Sequence, residues 1–220
     1  MNPIIKNSLN KFFPSLLLHY HAYKQLIGNR NSYIYSMGWM RSLSERKPVD
    51  IHGKPIPWMN YPTITLLKER LNSKLQLFEF GSGYSTFFYS ELVKDVISVE
   101  YDRKWYDMIN SSLPDNVKLL FQSNDIDGEY CRVIGTTNKL YDVVIIDGRD
   151  RVNCLKQSIS ALSPSGVILL DDSHRDKYKE GYNYAKERGF RALNIEGLKP
   201  TGSSTERTTF FYRDNNCLGI

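Results

Sequence analysis

Residues 75–100 have the sequence LQLFEFGSGYSTFFYSELVKDVISVE, which carries the clearest structural pattern of the chain. An apolar and aromatic run of strand length ends abruptly at a Gly-Ser-Gly turn (81–83), and apolar residues then recur at helical spacing from Ser85 onward. A second apolar run of strand length follows and closes with Glu100. This order of strand, glycine turn, helix, strand and acid is typical of the first βαβ unit of a nucleotide-binding sheet.

The glycine turn limits what this unit can bind. Gly81 and Gly83 allow a tight turn, and they let a ligand approach the backbone without meeting a Cβ atom. The helix behind them presents free N–H groups. Glu100 follows about twenty residues on, where an acid can accept hydrogen bonds from both hydroxyls of a ribose. We therefore expect the ligand to be an adenine nucleoside or nucleotide.

Two residues distinguish this unit from a dinucleotide-binding site. The fingerprint G-x-G-x-x-G requires a third glycine where this chain has Thr86. Glu79 lies just before the turn, and a carboxylate there disfavours a pyrophosphate and favours a cation. The sequence therefore argues against an NAD(P)-dependent oxidoreductase, which remains the first alternative.

The pattern E-x-G-x-G followed by a strand-end Glu resembles class I S-adenosylmethionine-dependent methyltransferases. The resemblance implies S-adenosylmethionine as cofactor, a molecule with an adenosine, a positive sulfonium and an amino group. It implies that Glu79 lies near the amino acid moiety and that Glu100 holds the ribose. The residues implied for the turn of the cofactor site are Gly81, Ser82, Gly83 and Ser85.

Further motifs extend this resemblance over residues 38–213. They are PVDxxGxPxPWxxYP at 48–62, FEFGSGYST at 78–86 and VVIIDGRDR at 143–151. Together they resemble a poorly characterised subgroup of bacterial class I methyltransferases, some of which are encoded beside surface-glycan genes. The resemblance implies methyl transfer to a small-molecule or glycan-related acceptor, and the carboxylate-rich strand ends described below favour an oxygen atom as the acceptor. It also implies a Rossmann-like, doubly wound α/β fold with a mostly parallel seven-stranded sheet and an antiparallel C-terminal hairpin.

Length and composition fit one domain with an appendage. We expect a helical and irregular cap at 1–74 and the cofactor-binding domain at 75–220 in this chain of 220 residues. The net charge is +5, but the basic residues are dispersed, which indicates a solvated surface and no nucleic-acid partner. Three cysteines without a C-x-x-C pair indicate an intracellular, cytoplasmic protein. The sequence shows no apolar run long enough to span a membrane.

The segment before the sheet leaves two questions open. Residues 1–36 have a rough apolar stripe at helical spacing, typical of a helix that packs on its own domain or on a second subunit of a homo-oligomer. Flanking lysines also allow weak contact with a membrane surface. Residues 38–62 contain four prolines and two glycines together with large aromatic residues. This segment is interpreted either as a cover over the active site or as a structural strap.

Polar residues follow three later strands of the predicted sheet. Asp125 comes after the third strand, where the resemblance implies a contact with the adenine amino group, although the surrounding residues are also typical of an ordinary turn. Asp147 ends a continuous apolar strand at 141–147, and Asp171 and Asp172 end the next one. Ligands of open α/β sheets bind at such carboxyl ends, so these acids are expected to lie together.

The acidic cluster has two interpretations. Carboxylates in one crevice repel one another unless they are protonated, paired with cations or bound to a metal. In a catechol- and caffeoyl-type branch of the family, similar positions hold Mg²⁺, which would assign Asp147, Asp171 and Asp172 as metal ligands. That branch has Asp-Asn where this chain has Asp-Asp. The alternative is neutralisation by the nearby arginines, namely Arg149, Arg151 and Arg175.

Two residues are candidates for the general base of the reaction. His174 follows the acids and has an unperturbed pKa of about 6.5, suited to removing a proton from an acceptor hydroxyl. Asp147 is the rival. A second alternative function is a non-catalytic cofactor-binding or scaffold protein, which would keep the turn and the ribose acid without the chemistry.

Overall fold

The computed structural model describes residues 14–123 and 125–220. Within them seven strands form one sheet in the order β3-β2-β1-β4-β5-β7-β6. The strands are β1 (Gln76–Phe80), β2 (Asp95–Glu100), β3 (Val117–Phe121), β4 (Tyr141–Ile146), β5 (Leu162–Leu170), β6 (Arg191–Gly197) and β7 (Glu206–Tyr212).

The first five strands pair in parallel, and β7 lies antiparallel between β5 and β6. This arrangement confirms the predicted fold class, including the antiparallel C-terminal hairpin. It follows from the sequence because a parallel strand is covered on both faces and is therefore apolar along its whole length. In β4, Val143 to Ile146 are all fully buried.

Nine helices accompany the sheet in the described part of the chain. They are α1 (Pro14–Leu26), α2 (Tyr33–Ser36), α3 (Trp39–Glu45), α4 (Tyr61–Arg70), α5 (Tyr84–Ser90), α6 (Arg103–Asn110), α7 (Glu129–Thr136), α8 (Arg151–Ser158) and α9 (Lys179–Glu187).

Two apolar cores lie on the two faces of the sheet. On one face, Phe78 and Phe80 pack with residues of α7, α8 and α9. On the other face, Leu77 packs with residues of α4 and α5 and with Met59 from the segment before α4. Because side chains alternate along a strand, Glu79 lies on the same face as Leu77. This alternation directs the acid before the glycine turn towards α5.

The N-terminal segment is bound to the C-terminal hairpin. We call residues 39–61 the strap. The indole N–H of Trp39 donates to the carbonyl of Gly202 at 2.8 Å, and that of Trp58 donates to the carbonyl of Pro200 at 2.9 Å. The strap therefore lies against the loop between β6 and β7, and it begins with the short helix α3.

Helix α1 lies mostly in solvent. Leu17 is its one buried residue, whereas Leu16, Leu18 and Tyr23 are more than half exposed. Residues 1–13 of the predicted N-terminal helix lie outside the described residues. Across 14–123 and 125–220, no helix combines the length and the apolarity that crossing a bilayer requires.

Two elements differ from the sequence-based expectation. Helix α7 was not expected, because the turn-forming residues before it resemble a simple loop; the carboxylate of Asp125 accepts hydrogen bonds from the Glu129 and Tyr130 amides at 2.7 and 3.1 Å and so starts the helix. Strand β5 begins at Leu162, five residues before the apolar run at 167–170 that predicts a strand from Val167. A register shift between Tyr141 and Val143 of β4 accommodates these earlier residues.

Candidate active site

The turn after β1 lies against the turn after β4. Gly81 has a φ of +100°, a left-handed conformation that favours glycine. A Cβ atom on Gly148 would lie 3.0 Å from the Gly81 nitrogen and 2.1 Å from the Tyr130 hydroxyl oxygen. The two turns therefore require glycine at Gly148 in order to touch, and their contact forms the floor of a cavity.

Glu79 is buried beneath this floor and is 1% exposed. Its carboxylate accepts hydrogen bonds from the hydroxyls of Ser85 at 2.5 Å, Thr86 at 2.6 Å and Ser98 at 2.7 Å. Burial raises the pKa of Glu79 to about 7, although the three hydroxyls oppose the shift. The negative charge of Asp147 adds a smaller upward contribution to this pKa.

Glu100 holds the opposite side of the turn. One carboxylate oxygen accepts from the Ser82 hydroxyl at 2.8 Å, and the other accepts from the amides of Tyr101 and Asp102 at 2.8 and 2.9 Å. A carboxylate has about four lone-pair sites, so these bonds fix its orientation and still leave capacity for a ligand hydroxyl. Trp105 completes the arrangement, because its indole N–H donates to the Ser82 carbonyl at 2.9 Å.

These residues surround a cavity of about 310 Å³, which we call the turn cavity. Five of the seven predicted cofactor residues line it, namely Glu79, Gly81, Ser82, Ser85 and Glu100. Gly83 is the N-cap of α5 and lines the neighbouring cavity. Asp147 and Gly148 close the turn cavity from the β4 side. The structure thus brings most of the predicted cofactor set together around one space.

A larger cavity of about 700 Å³ adjoins the turn cavity. We call it the strap cavity, because the strap residues Arg46, Lys47 and Trp58 form one of its walls. Residues of α5 and α6 form the others. Four residues line both cavities, namely Ser82, Ser85, Trp105 and Asp147. Asp147 therefore lies at the junction of the two spaces.

The three acids that follow β4 and β5 form a tight cluster. Carboxylate oxygens of Asp147, Asp171 and Asp172 all lie within 4.8 Å of one another. Burial raises the pKa of Asp147, and Arg151 lowers it in opposition. The pKa of Asp171 is raised well above its usual value, first by burial and then by the charges of Asp147 and Asp172. The Thr208 hydroxyl donates to Asp171 at 2.6 Å.

Cationic side chains reach into this cluster. Arg151 lies 2.9 Å from an Asp147 oxygen and 3.4 Å from an Asp172 oxygen, and it also donates to the Asp171 carbonyl at 2.7 Å. Arg175 lies 2.7 Å from Asp172, and Lys199 lies 3.6 Å from it. Arg151 thus contacts one carboxylate oxygen each of Asp147 and Asp172, and a Mg²⁺ ion bound by all three acids would have to share this cluster with the guanidinium.

The expectation that nearby arginines neutralise the acids holds for two of the three arginines. Arg151 and Arg175 pair with the acids, but Arg149 instead lies over the Tyr101 ring, 5.0 Å from its centroid. Lys199 was not predicted. It belongs to the loop between β6 and β7, whose position beside the cluster depends on the hairpin and not on any local sequence signal.

The remaining two predicted residues do not line either cavity. The Nε2 atom of His174 lies 3.5 Å from a carboxylate oxygen of Glu206, at the edge of the acidic cluster. The Asp125 carboxylate already accepts hydrogen bonds from the first two amides of α7, those of Glu129 and Tyr130. The turn cavity is also lined by three residues that were not predicted from the sequence, namely Tyr101, Asp102 and Trp105. They follow Glu100 closely in the chain, and this proximity could have identified them.

Comparisons with known proteins give structural matches alone. No protein-family model matches the sequence, and the search of curated proteins finds no match. The structure is similar to a methyltransferase-like protein from Silicibacter pomeroyi, with 21% identity over 72% of this chain and 89% of that one and a TM-score of 0.52. It is similar to the precorrin-6Y C5,15-methyltransferase from Geobacter metallireducens, with 18% identity over 69% and 86% of the two chains and a TM-score of 0.52.

A third similar structure is an O-methyltransferase from Bacillus cereus in complex with SAH. It shares 17% identity over 63% of this chain and 74% of that one, with a TM-score of 0.53. Likeness at such low identity establishes a fold and leaves activity to be argued from the site. With the strand order and the closing hairpin described above, it supports one conclusion: this chain has the fold of the class I S-adenosylmethionine-dependent methyltransferases.

Proposed function

We propose that this protein transfers a methyl group from S-adenosylmethionine to an oxygen atom of a small-molecule or glycan-related acceptor. One observation carries the proposal. The turn cavity, built from a glycine turn and a strand-end acid, opens beside a second and larger cavity, and Asp147 lines both. Two adjoining spaces with a carboxylate at their junction are what a donor, an acceptor and a base require.

The residues of the turn cavity fit the cofactor. Glu100 is oriented by its three hydrogen bonds to accept from ribose hydroxyls. Gly81 leaves the backbone open, and Glu79 lines the cavity, where an acidic side chain favours the amino group or the sulfonium. When bound, S-adenosylmethionine supplies an electrophilic methyl carbon, to which the acceptor oxygen bonds as the carbon–sulfur bond breaks.

Asp147 is our choice for the base that takes the acceptor proton. Burial raises its pKa and so strengthens it as a base, while Arg151 holds the side chain in place at 2.9 Å. His174, the rival candidate, contacts Glu206 and does not line the cavities. The same contacts with Arg151 lead us to propose that cations, and not Mg²⁺, balance the acidic cluster.

The first test is calorimetric titration with S-adenosylhomocysteine and, separately, with NADH, each in EDTA and in Mg²⁺. We expect binding of S-adenosylhomocysteine alone, with equal affinity in both buffers. Glu100→Gln should weaken it about tenfold or more through loss of charge-assisted hydrogen bonds, whereas Glu69→Gln, an exposed control on α4, should not. Binding of NADH instead would overturn the proposal in favour of an oxidoreductase.

Asp147→Asn separates an enzyme from a scaffold of the same fold. The amide keeps the size of the side chain and removes the base, so we expect retained cofactor binding with a 10²-fold or greater loss of turnover, within the range of about 10²–10⁴ for general-base catalysis. Asp107→Asn, an exposed control, should be neutral. Undiminished turnover in Asp147→Asn would refute the assignment of the base.

A further inference from the structure

The strap cavity has an aromatic and apolar interior. The rings of Trp58 and Trp105 line it together with Tyr84 and Phe87 of α5 and Met108 of α6. Met108 is 56% exposed and Trp58 is 46% exposed, although both are large apolar side chains. Large apolar groups that stay accessible inside a concave site are typical of ligand-binding surfaces.

Trp58 is held in position by the loop between β6 and β7. Its indole N–H donates to the Pro200 carbonyl at 2.9 Å, which ties the ring to the loop between β6 and β7. A tryptophan that is fixed at its polar edge and accessible elsewhere presents a rigid face, and flat aromatic rings and the C–H faces of sugars both pack on such faces. The cavity therefore favours a ligand that contains a ring.

The charges of this cavity are positive. Arg46 and Lys47 line it, and neither forms an ion pair with another described residue, whereas their neighbours Arg41 and Lys54 pair with Glu45 and Glu91. The single acid of the lining, Asp147, is already paired with Arg151 at 2.9 Å. A bound anion would meet two cations that have no ion-pair partner among the described residues, and one carboxylate, Asp147, whose charge Arg151 balances.

The backbone at Arg46 supports this interpretation. The residue ends α3 in a left-handed conformation, with a φ of 54°. Glycine or asparagine adopts that conformation at a lower free-energy cost, so an arginine at this position carries a local backbone penalty. Arg46 is part of the wall of the strap cavity.

We propose that the strap cavity binds the methyl acceptor, and that the acceptor is an anionic small molecule whose ring packs on Trp58 and whose acidic group is bound by Arg46 and Lys47. The identity of the bound molecule as a methyl acceptor rests on the proposed function above. Its chemical class rests on the cavity alone. An acidic sugar and an aromatic carboxylate share this chemistry.

The test uses four probes on the full chain: glucuronate, glucose, 3,4-dihydroxybenzoate and catechol. Binding is measured by saturation-transfer NMR and by calorimetry, with and without S-adenosylhomocysteine. We expect each acid to bind about tenfold or more tightly than its neutral counterpart, because two cations contribute. A preference for glucuronate indicates a glycan-related acceptor, and a preference for dihydroxybenzoate indicates an aromatic one.

Variants test whether the strap cavity causes the preference for acidic probes. Arg46→Gln with Lys47→Gln should abolish the preference for acids, whereas Lys74→Gln with Lys94→Gln, which removes the same charge from exposed positions elsewhere, should preserve it. Trp58→Leu should weaken both acids. Trp39→Phe is its matched control, because it loses a similar indole bond to the same loop without lining the cavity.

Several results would overturn the inference. They are equal binding of acids and neutral rings, unchanged binding in the Arg46 and Lys47 double variant, and binding of none of the four probes at millimolar concentration. Failure of the proposed function is a separate result. Acid-selective binding in a protein that does not bind S-adenosylhomocysteine would uphold the class of ligand and reject methyl transfer.

Discussion

Glu79 shows how one buried acid makes stability depend on pH. Its pKa in the folded protein is about 7, against 4.5 for an ordinary glutamate. Below the lower value both folded and unfolded chains hold the proton, so stability is fully present there. Between the two values the folded chain binds more protons, and the free energy of unfolding falls as pH rises, by about 3 kcal/mol in total.

We therefore predict a pH-dependent difference between wild type and Glu79→Gln. The variant has no proton to lose, so the free energy of unfolding of the wild type relative to the variant should fall between about pH 4.5 and pH 7 and stay level above that. Urea denaturation at three pH values measures it. Exposed Glu69→Gln serves as control, and a difference that stays constant with pH would show that Glu79 is not perturbed.

Single residues also show how far sequence reasoning reaches. Glu79 was predictable as an acid before a glycine turn, but its hydroxyl donors were not, because Ser98 reaches it only through the register that pairs Glu79 with Ser98 across β1 and β2. Lys199 escaped prediction for a similar reason. Its distance from Asp172 is set by the hairpin and the strap, which pack through contacts far apart in sequence.

At the scale of elements, the contact between two turns is a specific structural requirement. Gly148 after β4 approaches Gly81 after β1, and an added Cβ atom would collide with the Tyr130 hydroxyl at 2.1 Å. We predict that Gly148→Ala lowers the free energy of unfolding by about 1–3 kcal/mol, the usual cost of overpacking. Thermal and urea unfolding measure the loss.

Two further variants identify its cause. Tyr130→Phe in the Gly148→Ala background removes the oxygen that collides, so it should recover part of the loss, and the remaining contact with the Gly81 nitrogen at 3.0 Å should retain the rest. Gly135→Ala in α7 is the matched control. An added Cβ meets nothing within 4 Å there, and alanine favours a helix, so this change should stabilise. Equal effects of both alanines would contradict the steric account.

The elements themselves were predictable where burial is uniform. Strands β1, β2 and β4 are buried along most of their length, and their largely apolar runs can be read without knowing which strands pair. Helix α7 was missed because its first turn is stabilised by the Asp125 carboxylate, and the same residues resemble a simple turn when read locally. The early part of β5 depends on an irregular register with β4, which no periodicity reveals.

For the whole molecule, Asn60 connects the strap, helix α4 and the C-terminal hairpin. Its side-chain oxygen accepts from the Thr63 amide at 3.0 Å and so caps α4, and its nitrogen donates to the Ile195 carbonyl and the Thr208 hydroxyl, each at 3.2 Å. The residue is fully buried. The N-terminal segment and the sheet are thereby joined through one side chain.

We predict that Asn60→Ala lowers the free energy of unfolding by about 2–4 kcal/mol, through a lost helix cap and buried groups left without partners. Asn72→Ala should lower the free energy of unfolding much less, because Asn72 is exposed and its side chain accepts only a local hydrogen bond from the Lys74 amide. Circular dichroism and tryptophan fluorescence should report one coincident transition, since the segment before the sheet and the sheet share a core. Two separate transitions would show that the N-terminal segment unfolds independently.

The two indole bonds from the strap to the β6–β7 loop have a consequence for redesign. Arg46, Lys47 and Trp58 come from a segment that precedes the sheet, so this wall of the strap cavity and the glycine turn belong to separate parts of the sequence. An engineer who grafts a foreign strap onto this scaffold must bring its matching loop as well, because the Pro200 and Gly202 carbonyls hold Trp58 and Trp39. The strap and the loop between β6 and β7 should therefore be exchanged together.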